Sequence, residues 1–441
     1  MSSQLIPIIG METHAELKTQ SKMFCGCKND PFHAKKPNIY TCPVCLGLPG
    51  ALPFANKKAI EWTIKLGLAL GCEINLFSKF DRKNYFYPDL PKGYQISQYD
   101  LPFCINGILE TEEGPVRIRR IHLEEDTGKL QHTTINGKKV SLIDFNRSSV
   151  PLVEIVTEPD IHSARHAKEY GKKLRQILRY LDISDCNMEQ GSLRLEANIS
   201  LSKNANVLPN YKAEVKNINS FGFLEKAINF EIERQTKILE KGETPAQETR
   251  GWSEAQNATF SQRTKEDAED YRYFPDPDLP PLQFTKVQID QWKLELPELP
   301  KQLQIRWKKE FGIEEKYTTV LADTPELARQ FEKIITITQT KKLETNHIAN
   351  LVVNKKLSND LLNDPEKLIA KYQELTQVDE VDTEELNTVI LEVLSEQSKA
   401  VSDYQAGKTQ ILGFLIGQVM KKIGKKIDPK IVQQAIQKHL S

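Results

Sequence analysis

This 441-residue chain lacks the marks of several protein classes, and each gap excludes something. It has no net charge: 60 Lys and Arg balance 60 Asp and Glu, so the whole molecule is not drawn toward nucleic acid, and any RNA contact has to come from a local patch. It has no complete phosphate-binding loop, because Ser402 stands where Gly407-Lys408-Thr409 would need a glycine five residues earlier. It has no Gly-x-Ser-x-Gly and no His-Glu-x-x-His, and no nucleophilic serine or cysteine arrangement stands out, so an amidase step would belong to another polypeptide. The start, MSSQLIPIIG, has neither a basic region nor a long apolar core, and a cytoplasmic protein is expected. Residues 37–56 carry no charge, but Pro43, Pro49, Pro53, Gly47 and Gly50 would break a lipid-exposed helix; the stretch reads as a rigid, buried loop, with no membrane span.

The length calls for two or three domains. Residues 1–294 mix strands and helices without a regular βαβ rhythm, which argues for an α+β fold. Along 193–201, Leu193, Leu195, Ala197, Ile199 and Leu201 alternate with polar residues, a half-buried strand. Helices are expected over 58–70, over 164–181 behind Ser163 as N-cap, and over 222–241 up to Gly242. Prolines 275, 277, 280, 281, 297 and 300 stiffen the next stretch, and a boundary is expected near 294. Helical patterns dominate beyond it. The last two helices are expected over 408–423, closed by Gly424, and after Asp428 with Pro429 in the first turn. Seven lysines against two aspartates make 401–441 basic, beside an acidic 341–400.

Five segments carry chemistry. Cys25-x-Cys27 and Cys42-x-x-Cys45 have the paired spacing of a closed four-thiolate zinc site, which would be structural; four unrelated buried thiols are the plainer alternative, and His33 is a possible substitute ligand. In IIGMETHAEL, an extended strand places Glu12, His14 and Glu16 on one side, suited to holding a metal or to acid–base work, or equally to a solvated edge. IHLEEDTGK concentrates His122, Glu124, Glu125 and Asp126, and Glu154 is the one charge in the apolar run VPLVEIVTEP. A buried carboxylate must be paired, bind a cation or take up a proton; oxygen-rich ligation with one imidazole suits magnesium or manganese, and a salt bridge from Arg147 is the bland alternative for Glu154. In KFDRKNYFYPDLPKGYQ, Lys79, Arg82, Lys83 and Lys92 interleave with Tyr85, Phe86, Tyr87 and Tyr94, as in phosphate binding with stacking, or as in a surface hairpin with snorkelling lysines.

Taken together these motifs, with SKMFCGC, CPVCLGLPGALP, LIDFNRSSVPLVEIVTEPD, MEQGSLRLEANIS, EVKNINSF and EDYRYFPDPDL, resemble the B-subunit family of the aspartyl/glutamyl-tRNA amidotransferases. The resemblance implies a cradle-like catalytic domain over 1–294 with a mainly antiparallel sheet, a helical connector over 295–345 and a shortened helical tRNA-binding tail over 346–441. It implies a ligase that uses ATP to phosphorylate the side-chain carboxylate of Glu on Glu-tRNA(Gln) or Asp on Asp-tRNA(Asn). The ligase then amidates that carboxylate with ammonia from a glutaminase, the A-subunit, and the C-subunit is the third partner. Magnesium would be held by His14, Glu125 and Glu154, with Glu12 and Glu124 beside it. Lys79, Arg82 and Lys83 would face the nucleotide phosphates, and Tyr85 or Tyr87 would stack. Zinc would sit on Cys25, Cys27, Cys42 and Cys45. Two readings compete: a non-enzymatic zinc-containing RNA-binding module, and a stand-alone ATP-dependent carboxylate–amine ligase. Parity sets a condition, since a regular strand turns Glu125 to the face of Ile121 and Leu123, so it needs a bulge or a strand end to reach the metal. Two departures are visible: Ser149 stands where the family signature usually has glycine, and a helical stretch that the family usually carries between about 355 and 385 is missing from the tail.

Overall fold

The computed structural model describes residues 5–264, 270–377, 382–425 and 427–440, so Glu269, first residue of EDYRYFPDPDL, lies outside it. The chain divides into two compact units, Met1–Ile305 with Ala322–Pro325, and Arg306–Leu321 with Glu326–Ser441.

The first unit is built on a nine-stranded sheet. From one edge the strands are Ala258–Thr264, Glu248–Ser253, Ala213–Ile218, Leu193–Ser202, Ile6–Glu16, Pro151–Thr157, Gly114–Glu125, Cys104–Thr111 and Glu73–Ile74. Every adjacent pair is antiparallel except 213–218 with 248–253. The α+β class therefore holds, with helices in the remainder of the chain.

Strand alternation gives the sheet two unlike faces. Met11, Ala15, Leu123, Val153, Ile155, Leu193, Leu195, Ala197 and Ile199 lie on one and are buried in a single apolar cluster. Helices Lys57–Ala69, Ala164–Tyr180 and Phe221–Glu240 supply the other half of that cluster through residues such as Ile64, Leu174, Leu178, Leu224 and Ile228. Their starts follow from side-chain caps: Asn56, Ser163 and Ser220 each accept from backbone N–H groups of the first turn. Gly171 lets the second helix lie close to the sheet, because a Cβ there would come within 3.1 Å of Leu195. The opposite face keeps the polar residues, Glu12 and His14 among them.

Residues 37–56 are irregular up to the 57–69 helix, as the prolines require, but the loop is not buried: Leu48, Leu52 and Phe54 are exposed. A short sheet of Asp81–Asn84, Tyr94–Ser97 and Phe274–Pro275 carries the basic–aromatic segment. The second unit is helical throughout its described residues. Its last helices are Ile411–Ile423, closed by Gly424 in the left-handed conformation (φ 65°), and Pro429–Leu440, where Asp428 accepts from the Lys430 N–H. No described helix is long and apolar enough to cross a membrane.

Candidate cation site and thiolate cluster

Register assembles the first site. His14 lies opposite Glu154, and Glu154 opposite His122 on the next strand, so three adjacent strands bring their side chains to one row of the polar face. His14 Nε2 is 3.4 Å from Glu154 Oε2 and 3.8 Å from both Glu124 Oε1 and Glu12 Oε1. His122 Nε2 closes the group from the other side, 3.2 Å from Glu154 and 3.6 Å from Glu124. His14, Glu124 and Glu154 can each turn one ligand atom to a common point, their ligand atoms all lying within 4.8 Å of one another. Glu12, His14 and Glu196 form a second such group, but Lys216 already holds Glu196 at 2.8 Å.

The electrostatics fit a cation. Burial disfavours charge on His14, but the hydrogen bond to Glu154 and the charges of Glu154 and Glu124 outweigh it and hold the imidazole up at about 9. His122 stands at about 9 likewise, burial being overcome by Glu154 and Glu124. Burial also opposes charge on Glu154 and Glu124, yet the two imidazoles keep both carboxylates below their ordinary range. Burial, then the Glu154 charge, pushes Glu12 up to about 7. Protons on imidazoles thus answer a negative potential that a divalent ion would meet directly. Buried Nδ1 atoms of His14 and His122 have no hydrogen-bond partner, and the donor set of carboxylate oxygens with imidazole suits magnesium or manganese.

Glu125 is not in this group. It ends its strand on the opposite parity, is 1% exposed, and accepts from Lys92 and, at 2.9 Å, from the Ile96 N–H. The bulge it would need is absent, since 114–125 pairs with 151–157 in unbroken register from Pro151 to Val156. The structure puts Glu124 where the resemblance put Glu125. Arg147 contributes nothing to Glu154; it lies 3.7 Å from Asp126. Glu16 is buried against the same aspartate, and burial together with the Asp126 charge pushes its carboxyl well above the usual range.

The basic segment divides. Lys79 is paired with Asp81 and Asp100, within the small sheet's own segments, and Arg82 with Asp276 and Asp278, which ties that sheet to the 270–280 stretch, so both cations are already paired. The Arg82 guanidinium also stacks 4.3 Å from the Tyr94 ring centroid. Lys83 instead forms no ion pair among the described residues. It lies 4.8 Å from the Tyr271 ring, and although burial opposes its charge, Glu124, Tyr273 and Glu154 keep it ionised. Tyr85 packs edge-on to Tyr271, and Tyr87 is exposed. Tyr271 and Tyr273 escape a reading of the sequence because they sit in a proline-rich stretch; the signal that marks them is the same cation–aromatic interleaving.

The second cluster is local. Cys25, Cys27, Cys42 and Cys45 bring their four sulfurs within 4.8 Å of one another from turns without regular structure. The Cys42 N–H donates to Cys45 Sγ at 3.1 Å. A hydrogen bond from Cys25, and against burial the charge of Lys22, draws Cys45 down to about 5, while the same bond pushes Cys25 far up. The pull on Cys45 favours the thiolate form that a metal needs, and the four-sulfur set fits tetrahedral zinc. His33 is exposed, held by Asp30, and outside the cluster. Cys72, Cys104 and Cys186 are buried elsewhere.

Fold and site define an α+β protein with an acidic–imidazole centre of the kind that handles cations, plus a separate four-sulfur centre. Residues 7–290 match the GatB/GatE catalytic domain and 312–440 the GatB domain. The chain is 43% identical, over 98% of either sequence, to a Thermomicrobium roseum protein named as the B-subunit of aspartyl/glutamyl-tRNA(Asn/Gln) amidotransferase. It is 42% identical to proteins of the same name from Thermoanaerobacter sp. (98% of this chain, 99% of that one) and Picosynechococcus sp. (98% and 97%). The chain belongs to the GatB/GatE family. The 477 aligned residues of the Thermomicrobium comparison exceed the 441 of this chain, so that relative carries residues absent here.

Proposed function

We propose that this chain works as the B-subunit of a glutamine-dependent tRNA amidotransferase, a ligase that forms carbon–nitrogen bonds together with a glutaminase subunit and a third subunit. Its substrates are Glu-tRNA(Gln), Asp-tRNA(Asn) or both. ATP phosphorylates the mischarged side-chain carboxylate, and ammonia from the glutaminase displaces the phosphate. The observation that carries the assignment of the site is the convergence of His14, Glu124 and Glu154 from three neighbouring strands, with Lys83 facing them. His14, Glu124 and Glu154 would hold magnesium, which when bound neutralises charge on a transferring phosphoryl group. Glu12 and His122 orient those ligands. Lys83 is the residue available to the phosphates, and Tyr271 and Tyr273 wall its approach. Cys25, Cys27, Cys42 and Cys45 hold a structural zinc. The helical 346–441 region binds the tRNA, and its basic end supplies the local patch that the neutral whole lacks.

The test is reconstitution with the two partner subunits, ATP, glutamine and each mischarged tRNA. Glu154→Gln is expected to abolish amide formation on tRNA while the glutaminase still hydrolyses glutamine. Wild-type amide formation by that variant would reject the site. The RNA-binding-module reading has no use for the buried His14–Glu154 pair, and the stand-alone ligase has none for the basic tail.

A further inference from the structure

Lys22 is a fully buried lysine, 0% exposed, and it forms no ion pair with a carboxylate among the described residues. Its ammonium has two described partners: Cys45 Sγ at 3.8 Å and the Phe145 carbonyl at 3.1 Å. An ammonium deep in a protein needs an anion, because desolvation is otherwise too costly. The anion within reach is the sulfur cluster. Four thiolates on one divalent zinc leave two net negative charges on a cluster whose Cys25 and Cys45 are buried, and one adjacent cation halves that excess.

We propose that Lys22 is the built-in counter-charge of the thiolate centre, a positioning residue that raises its metal affinity and ties it to the segment feeding the strand of Glu154. This rests on the zinc reading of the four cysteines. The tie is visible in the hydrogen bonds. Lys22 Nζ donates to the Phe145 carbonyl, Ser148 Oγ donates to the Cys45 carbonyl at 3.1 Å, and the Met23 N–H donates to the Ser149 carbonyl at 2.6 Å. Residues 145–149 run directly into Pro151–Thr157, which carries Glu154. The loop that holds the metal and the strand that carries the carboxylate therefore share one seam, and Lys22 bridges it.

The experiment uses the full chain with two neutral variants. Lys22→Met fills the space with an apolar chain of similar length, and Lys22→Gln keeps a donor for the Phe145 carbonyl but removes the charge. Zinc content of the wild type is measured first. A wild type that neither contains zinc nor takes up zinc or cobalt rejects the zinc reading itself. With zinc present, competition against a chromophoric chelator is expected to show roughly 10–100-fold weaker binding in both variants, the usual scale for a lost outer-shell partner. In cobalt-substituted protein the thiolate-to-metal charge-transfer band should move to longer wavelength, because an ammonium no longer stabilises the sulfur electrons. Should Met fail to fold, Gln alone decides. Wild-type affinity and band position in a folded neutral variant overturn the proposal, and loss in Met with full retention in Gln overturns the charge argument in favour of the hydrogen bond.

Discussion

The two clusters of the first unit are built by opposite means. The thiolate centre is assembled by turns, from four residues within a stretch of 21, and needs no regular element. The acidic–imidazole centre draws residues 14, 122, 124 and 154 from three strands of the large sheet, and register alone brings them together. The first is a closed set of soft ligands with one cation against it; the second is a larger group of hard ligands whose charges are answered by two imidazoles. Turn-built sites fail locally. Register-built sites stand or fall with the sheet, but within a sound sheet a single side chain decides their chemistry.

That difference is broken most sharply at two adjacent glutamates. Glu124→Gln is expected to lower amide formation by about 100-fold or more, since it removes a charge at the point where phosphoryl charge is met. Glu125→Gln should lower it far less and cost stability instead, because it breaks the ion pair that the buried Glu125 makes with half-buried Lys92. Rates from the reconstituted enzyme and melting curves of both variants decide this. Equal loss of rate in the two would return Glu125 to the metal and contradict the strand parity.

The thiolate centre is tested by removing a ligand. Cys45→Ser should abolish zinc retention and lower stability by several kcal/mol, since metal binding free energy is folding free energy in a closed site. Residual activity should track the folded fraction, in contrast to Glu124→Gln, which should stay folded and inactive. Zinc stoichiometry with circular dichroism checks it; a Cys45→Ser protein that keeps one zinc would dissolve the site.

A pH series separates the clusters again. His14 and His122 stand at about 9 when folded, above the ordinary imidazole value of 6.5. A raised basic group stabilises fully below its unfolded value and loses that contribution as pH rises through its folded one. Metal-free protein should therefore lose roughly 3 kcal/mol per histidine between pH 6.5 and 9. Magnesium or manganese should restore it increasingly toward pH 9, because the ion replaces the departing protons. A melting temperature flat across that window, with and without manganese, would remove the imidazoles from the cation centre.

The same contrast explains what the sequence made legible. Paired cysteine spacing is a local signal, and it names the four ligands without any knowledge of the fold. The helix caps Ser163 and Asp428 and the glycine stop at 424 are local too. Period two along 8–17 places Glu12, His14 and Glu16 on one face, yet it does not say which neighbour lies beside which. That needs the pairing of Ile6–Glu16 with Pro151–Thr157 and of that strand with Gly114–Glu125. Parity within a strand is readable and points away from Glu125, whereas the resemblance points toward it. Arg82 misleads for a related reason: its partners Asp276 and Asp278 are brought in by chain returns of 194 and 196 residues, which no window on the sequence contains, whereas Lys79 is paired within its own neighbourhood by Asp81 and by Asp100, 21 residues on.

The smallest expected effect lies on the seam between the clusters. Ser149 is fully buried with φ of 67°, in the left-handed region, and its Oγ has no hydrogen-bond partner. Its backbone is nonetheless fixed from both sides: the N–H donates to the Asp126 carbonyl at 2.9 Å and the carbonyl accepts from Met23 at 2.6 Å. A left-handed non-glycine residue costs about 1–2 kcal/mol, and an unsatisfied buried hydroxyl adds about 1–3. Glycine would relieve both, at the cost of roughly 1 kcal/mol of extra chain freedom when unfolded and a small void where the CH2OH was. The balance favours Ser149→Gly by about 1 kcal/mol, a rise of a few degrees in melting temperature. Because the residue touches the segment beneath both centres but belongs to neither, zinc affinity and amide formation should stay within about twofold of wild type. A destabilised Ser149→Gly would mean that the hydroxyl has a partner in solution, and that the departure from glycine is itself part of how this chain joins its two centres.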